Sequence, residues 1–490
     1  MPEQSLKDKT VKGTFWSAAD AFLGHGVTFL VGIVLARLLS PSEYGLIGIV
    51  TIFVVVLTGI VDSGFSNALI RKKDADNEDY NTMFITNMLI SVALYVLLFF
   101  AAPAIARFFE RTELVDLVRV MGLILIIQAL SITQVTILTK KMDFKTKTKA
   151  SVTAAIISGA VGIAMAIGDY GVWSLVGQQL SNKAVYTLCL WLLNRWWPSF
   201  SFSKTSFRYM WGFGWKLMAS GLLNNIWGQL YRVVVGKFYN PVTLGQYTKA
   251  GEYSSLFSSN ITAIIQRVSY PSLAQVQDDT IRMVAAYRKV IKTTMFVTCI
   301  SMFSMAAASE PLIYCLIGPQ WYVAATFLPL ICLSQSLYPL HAINLNMLQI
   351  QGRSDIFLIL EVVKKILGTI PLLIGIFIGI YWMLVASLII GVVCFFLNSY
   401  YTGKQLNYSS WMQLKDIAPS YGVAAVVALS VFFLKYLPLS FWVVLPLQVV
   451  VGVGVFFLVC ETMKLPEYLE VKGIAIDIIK KLKTRKTNKV

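Results

Sequence analysis

Acidic residues are scarce in this chain. Its 490 residues include 25 Asp and Glu against 42 Lys and Arg, and only 14% are charged, so the formal charge of +17 owes as much to missing acids as to added bases. Histidine is reduced to His25 and His341. The six cysteines, Cys189, Cys299, Cys315, Cys332, Cys394 and Cys460, fall in or beside apolar runs with no paired spacing. Neither a disulfide framework nor a metal site is therefore expected. No GxxxxGK[ST] phosphate loop occurs, which excludes ATP hydrolysis of that type, and no cofactor is expected. The start, MPEQSLKDKT, is polar, and the apolar run after it is too long for a removable signal and lacks a small-residue cleavage site.

What the chain has instead is apolar length. With 57% hydrophobic residues and a mean hydropathy of +0.67, a soluble fold would expose far too much apolar surface. The composition predicts an all-α polytopic membrane protein. Apolar runs at 12–39, 43–66, 80–105, 114–139, 150–168, 170–194, 209–237, 242–266, 290–313, 322–350, 356–377, 379–402, 416–436 and 440–462 predict fourteen transmembrane helices, most reaching the roughly 20 residues a span needs. The divisions at Gly168–Gly171 and Ile378–Tyr381 are the least marked.

Basic residues gather on alternate connections: Lys7, Lys9 and Lys12; Arg71, Lys72 and Lys73; Lys140 to Lys149; Arg195, Lys204 and Arg208; Arg267 to Lys292; Arg353; Lys404 and Lys415; and the tail from Lys480. By the positive-inside rule both termini are expected in the cytoplasm. Most of the positive charge is then topology, and no nucleic-acid partner is expected. The last stretch, from Pro466, sets Ile474, Ile478, Ile479 and Leu482 against lysines, as in a basic amphipathic helix on an anionic leaflet, or equally a solvated tail.

One pattern occurs twice, offset by 200 residues. Arg37, Ser40, Pro41 and Gly45 are matched by Lys237, Asn240, Pro241 and Gly245, each set describing a helix that stops, a tight turn and a helix that starts. Six helices separate the copies, so the halves are expected to be parallel repeats about an axis along the membrane normal. The expected organisation is a cytoplasmic N-terminus (1–11), an N-lobe of six helices (12–194), a linker (195–208), a C-lobe of six (209–402), helices 13 and 14 (403–462) and a cytoplasmic tail (463–490).

Chemistry at membrane depth must come from polar groups, each costing at least about 2.5–3.5 kcal/mol to bury there. Helix 7 is richest: Gly214, Gly221, Asn225, Gly228, Gln229 and Arg232 share one face, and Lys216 lies on another. Helix 1 offers Gly13, Trp16, Ser17, Asp20 and Gly24, with His25 beside them. Helix 8 carries Lys249 and Glu252, and helix 11 carries Glu361, Lys364 and Lys365, spacings that also suit internal ion pairs. Arg37 and Lys237 are placed to snorkel, and Asp62 to end helix 2 at an interface. The excess of cationic and amide donors points to an anionic or sugar-rich substrate.

The stretches WSAADAFLGHGVTFLVGIVLARLLSPSEYGLIGIVTIF, VDSGFSNALIRKKDADNEDYNTMF, KKMDFK and NPVTLGQYTKAGEYSSLFSSNITAIIQRVSYPSLAQVQDD resemble the Wzx-type polysaccharide flippases of the MOP superfamily, in particular the branch of colanic acid exporters. The likeness runs from Lys12 to about residue 400. It implies two six-helix lobes plus two helices, alternating access through a central cationic cavity, and transfer of an undecaprenyl-pyrophosphate-linked oligosaccharide across the bacterial inner membrane. Polysaccharide polymerase and glycosyltransferases are expected partners, besides membrane lipids and a coupling cation, Na+ or H+. Similar flippases for the peptidoglycan precursor use helices 13 and 14 as a groove for the lipid tail.

The resemblance carries no fixed motif for the cavity cations. From the residues alone, Arg232, Lys216, Lys364 and Lys365 are the candidates for pyrophosphate. Asn225, Gln229 and Trp227 are the candidates for sugar, and Asp20, His25, Lys249, Glu252 and Glu361 for coupling or cavity polarity. Two rivals stand beside the flippase: a cation-coupled drug or metabolite antiporter of the same superfamily, which needs a negative cavity, and a membrane glycosyltransferase or polymerase, which needs a larger outer loop than the one at 104–114.

Overall fold

A computed structural model describes Trp16 and residues 23–24, 26–62, 64–276, 278–470 and 472–473. The tail from Ile474, with its amphipathic pattern, lies outside the described residues, as do Asp20 and His25. The described chain is helical, without strands. It divides into two compact units, Met1–Thr248 and Lys249–Val490.

The first unit holds α1 (Gly26–Leu38), α2 (Pro41–Asp62), α3 (Phe65–Arg71), α4 (Asn77–Phe109), α5 (Leu114–Lys140), α6 (Phe144–Ile167), α7 (Val172–Asn194), α8 (Lys204–Phe238) and the first turns of α9 (Pro241–Ala274). Short polar side chains start these helices by occupying backbone N–H groups that have no helical acceptor. Glu43 accepts from the Ser40 backbone and hydroxyl at 2.6 and 2.8 Å, and Asn240 accepts from the Thr243 backbone and hydroxyl at 2.8 and 2.9 Å. Both copies of the repeated turn are thus helix caps with proline in the first turn. Asp76 and Asp79 make the reciprocal capping box of α4. Asp79 also takes Lys72 at 2.6 Å, and that bond holds the Lys72 ammonium above its ordinary pKa.

Helices α5 and α7 are fastened by three side-chain bonds to backbone or amide. Trp191 Nε1 donates to the Leu130 carbonyl at 2.9 Å, Thr187 to Ile127 at 3.2 Å, and Asn194 to Gln134 Oε1 at 2.6 Å. The segment 43–66 read as one span is broken near its end. Gly64 is left-handed, with φ of 69°, and a Cβ there would come within 2.5 Å of the Gly214 carbonyl oxygen, so the turn and the crossing both require glycine.

The second unit continues α9 and adds α10 (Thr280–Ala307), α11 (Ser309–Ile317), α12 (Tyr322–Ser336), α13 (Tyr338–Ile350), α14 (Ser354–Phe377), α15 (Ile380–Leu406), α16 (Ser410–Phe433) and α17 (Phe441–Met463). The run 322–350 is two helices, parted at Leu337 just before Pro339. The core of this unit is apolar around Tyr287, Ile291, Met295, Leu340, Met347 and Phe395, but it encloses a fully buried amide pair. Asn344 accepts from the Tyr287 hydroxyl at 2.8 Å and exchanges bonds with Gln413 at 3.1 and 3.2 Å. Asn344→Leu strands both partners, at about 1–3 kcal/mol for each group left unpaired. A lowered melting temperature, partly recovered when Tyr287→Phe is added, is the expected result of thermal unfolding.

Nine helical stretches among the described residues are long and apolar enough to cross a membrane, including α2 joined with α3 and α12 joined with α13. Helices α7, α8, α9 and α14 have the length and lack the composition. The last three of these carry most of the candidate residues: Lys216, Asn225, Trp227, Gln229 and Arg232 on α8, Lys249 and Glu252 on α9, and Glu361, Lys364 and Lys365 on α14. Polar helices persist in a membrane protein only where their polar faces meet protein or water.

Candidate substrate site

Helix α8 is positioned by α2, against which it runs antiparallel. Gly214 crosses Gly64, Asn225 Nδ2 lies where a Cβ on Gly59 would come within 2.5 Å of it, and Gly236 packs toward Ile49 and Phe109. At the far end the two repeated turns meet. A Cβ on Gly45 would run into the Pro241 carbonyl, and one on Gly245 into the Pro41 carbonyl, so each turn occupies the space that the other's glycine leaves. Beside them Lys237 pairs with Glu110 at 2.7 Å and holds that exposed carboxyl below the usual carboxylate range.

These contacts set depths within the first unit. Glu43 reaches Gly171, so the starts of α2 and α7 and the end of α8 are level. Taking 1.5 Å per residue from that level, Arg232 lies about 9 Å down and Lys216 about 33 Å down. The two candidate pyrophosphate residues are therefore about 24 Å apart along one continuous helix and cannot grip a single pyrophosphate together. Arg232 donates to Gln229 Oε1 at 3.0 Å, an uncharged partner that leaves the guanidinium with donors to spare. Lys216 is exposed, Trp227 and Gln229 are half-buried, and Asn225 faces α2.

In the second unit Lys249 and Lys364 are each paired with an acid. Lys249, only 7% exposed, meets Glu252 at 2.8 Å, and Lys364 is bonded to Glu361, with Lys365 half-buried beside them. Arg232 and Lys216 thus belong to one unit, and Lys364 and Lys365 to the other. His341 is a packed polar group within hydrogen-bonding distance, 3.2 Å, of the buried Asn398 amide.

A residue that sequence reasoning missed is Lys183. It is the twelfth residue of the 23-residue helix α7, half-buried, and no ion pair reaches it among the described residues. The signal was present: a lysine in the middle of an apolar run with no acid three or four positions away. The described acids elsewhere in the unit keep to helix ends and connections, with Glu43 and Asp62 at the two ends of α2, Glu78 and Asp79 opening α4 and Asp116 opening α5. Helices α6, α7 and α8 contain none. Between the levels of Glu43 and Asp62 the described first unit has cations and amides and no carboxylate.

Residues 34–326 match the family model described as polysaccharide biosynthesis protein. That is more than half of the chain. The chain belongs to the polysaccharide biosynthesis protein family. Among its relatives, the succinoglycan biosynthesis transport protein ExoT of Rhizobium meliloti (strain 1021) is 25% identical over 334 residues, 68% of each chain. The teichuronic acid biosynthesis protein TuaB of Bacillus subtilis (strain 168) is 23% identical over 72% of this chain and 73% of that one. Among solved structures, the lipid II flippase MurJ in an inward closed conformation superposes with a TM-score of 0.70 at 15% identity, covering 91% of this chain and 97% of that one. An inward-facing multidrug resistance MATE transporter of the MOP superfamily superposes at 0.60 with 16% identity, over 80% and 96%. The fold of this family member is accordingly that of the MOP transporters, an integral multi-pass membrane architecture.

Proposed function

We propose that the protein is a flippase that carries an undecaprenyl-pyrophosphate-linked oligosaccharide from the inner to the outer leaflet of the bacterial inner membrane by alternating access, with the Pro41–Pro241 end outside and both termini in the cytoplasm. The observation that carries this reading is that the described interior of the first unit holds no carboxylate, while Arg232 donates to the Gln229 amide. Guanidinium and ammonium groups suit phosphate, and the amides of Gln229 and Asn225 with the Trp227 ring suit sugar. A drug-cation antiporter needs the opposite polarity. Each negative charge leaving a cell with a negative interior gains about 2.3 kcal/mol per 100 mV, so export of the anion needs no nucleotide. The glycosyltransferases and polymerase of the same glycan are the partners this reading implies.

The lipid tail has a candidate place in the second unit. A groove of about 360 Å³ between α9, α10, α16 and α17 is lined by Phe257, Met305, Val431, Val449, Gly452 and Phe456. Its buried amide, Gln448, donates to the Val431 carbonyl at 2.9 Å, and apart from Gln448, Ser301 and Ser304 the lining is apolar. Gly452→Phe is expected to fill it, weakening binding of a long polyprenyl pyrophosphate several-fold while sparing a short-chain analogue, as read by competition between the two lipids. The flippase reading itself is tested by expressing the chain in bacteria that lack their own polysaccharide flippase. Restored surface glycan supports it, and cells that gain only drug resistance refute it.

A further inference from the structure

We infer that Lys183 is a mid-membrane anchor for the substrate's anionic group, an assignment that rests on the flippase reading. Lys183 lies eleven residues from either end of α7, and its four-carbon stem is too short to carry the ammonium to either interface. An ammonium at that depth ordinarily survives by pairing with an acid. Among the described residues none is within reach: α1, α6 and α7 as described contain no Asp or Glu, and the acids of α2, α4 and α5 sit at their ends.

The neighbouring polar groups on α7 do not neutralise it either. Asn182 donates to Ser158 of α6 at 3.1 Å and Ser181 to the Gly177 carbonyl of its own helix at 2.6 Å, so both donors are already engaged. Gln179 lies one turn from Lys183 on the same face, half-buried, with no side-chain bond among the described residues. An ammonium and an amide N–H₂, four residues apart on one face, form a donor pair suited to a phosphate oxygen and to a neighbouring phosphate or sugar oxygen.

Depth gives the pair its role. Counted from the same level as before, Lys183 lies about 18 Å down, between Arg232 at about 9 Å and Lys216 at about 33 Å. The interval between Lys216 and Arg232 is too long for one anion to bridge. Lys183 divides it, so a pyrophosphate moving through the first unit meets a cation at the beginning, the middle and the end of its path.

The test is binding of undecaprenyl pyrophosphate and of undecaprenol to the purified full chain in nanodiscs, for wild type, Lys183→Gln, Lys183→Arg and Lys183→Cys. Wild type should prefer the pyrophosphate. Lys183→Gln should lose at least about tenfold in pyrophosphate affinity with undecaprenol unchanged, and Lys183→Arg should retain most of it. Modifying Lys183→Cys with a positively charged aminoethyl thiosulfonate should restore affinity, and a neutral methyl reagent should not. A wild type that prefers the pyrophosphate beside a Lys183→Gln variant that does so equally would overturn this inference alone. A wild type with no preference would overturn the flippase reading as well.

Discussion

Arg232→Ala will slow transfer of a lipid-linked pyrophosphate oligosaccharide about tenfold to a hundredfold, and Lys216→Ala will do comparable damage to a different step. Each substitution removes a charge-assisted contact worth about 1.5–3 kcal/mol, and every 1.4 kcal/mol is a factor of ten. The two residues are separated by about 24 Å of α8, so they serve the anion at different points of its path. Lys216→Ala should weaken loading from the cytoplasmic leaflet, and Arg232→Ala should leave loading intact and slow release on the other side. Equilibrium binding to inward-loaded protein, compared with single-turnover transfer, separates these. Identical effects of both variants on both observables would show that the charges act as one diffuse field. Neither variant should unfold the protein, because Lys216 is exposed and the hydrogen bond of Arg232 among the described residues is to Gln229 on its own helix.

Gly45→Ala and Gly245→Ala will each destabilise the folded protein, and the double variant will cost less than the sum. In both positions the added Cβ meets backbone, the Pro241 carbonyl for Gly45 and the Pro41 carbonyl for Gly245, and backbone cannot step aside as a side chain can. Overpacking of this kind costs about 1–3 kcal/mol and occasionally more. Both clashes fall in one crossing. Once the first alanine has forced the turns apart, the second finds its clash partly relieved, which is coupling of the sort a double-mutant cycle measures. Thermal unfolding of the three variants in detergent provides the cycle. Strict additivity would mean that the two turns yield independently, and single variants as stable as wild type would mean that the crossing is loose.

The crossing also marks the boundary of what sequence reading reached. The repeated Ser/Asn-Pro-x-x-x-Gly turns were legible because a cap, a proline and a helix start are local matters, decided within a few residues by backbone sterics and hydrogen bonding. For the same reason the breaks at Gly168–Gly171 and Ile378–Gly379 fall where the sequence places them. That the two turns interlock through their glycines was not legible, since it depends on residues 200 positions apart. The break at Gly64 was hidden likewise: it is set by the approach of Gly214, while the apolar pattern runs on through Phe65. At the site, periodicity placed Arg232, Gln229 and Asn225 on one face of a helix, but only the register against α2 reveals that Asn225 is turned toward Gly59. Lys183 was overlooked because a single charge in an apolar run leaves no periodic trace, and its significance comes from the lack of described acids at its depth on neighbouring helices.

The most direct measurement is translocation of a fluorescent undecaprenyl-pyrophosphate oligosaccharide in proteoliposomes, with and without an imposed membrane potential, comparing wild type with the Arg232→Ala, Lys364→Ala double variant. A flippase with a cationic pyrophosphate path predicts transfer that responds to the potential and disappears in the double variant. No transfer of any lipid-linked glycan, together with efflux of a soluble cation, would contradict it and place the protein with the antiporters of the same fold.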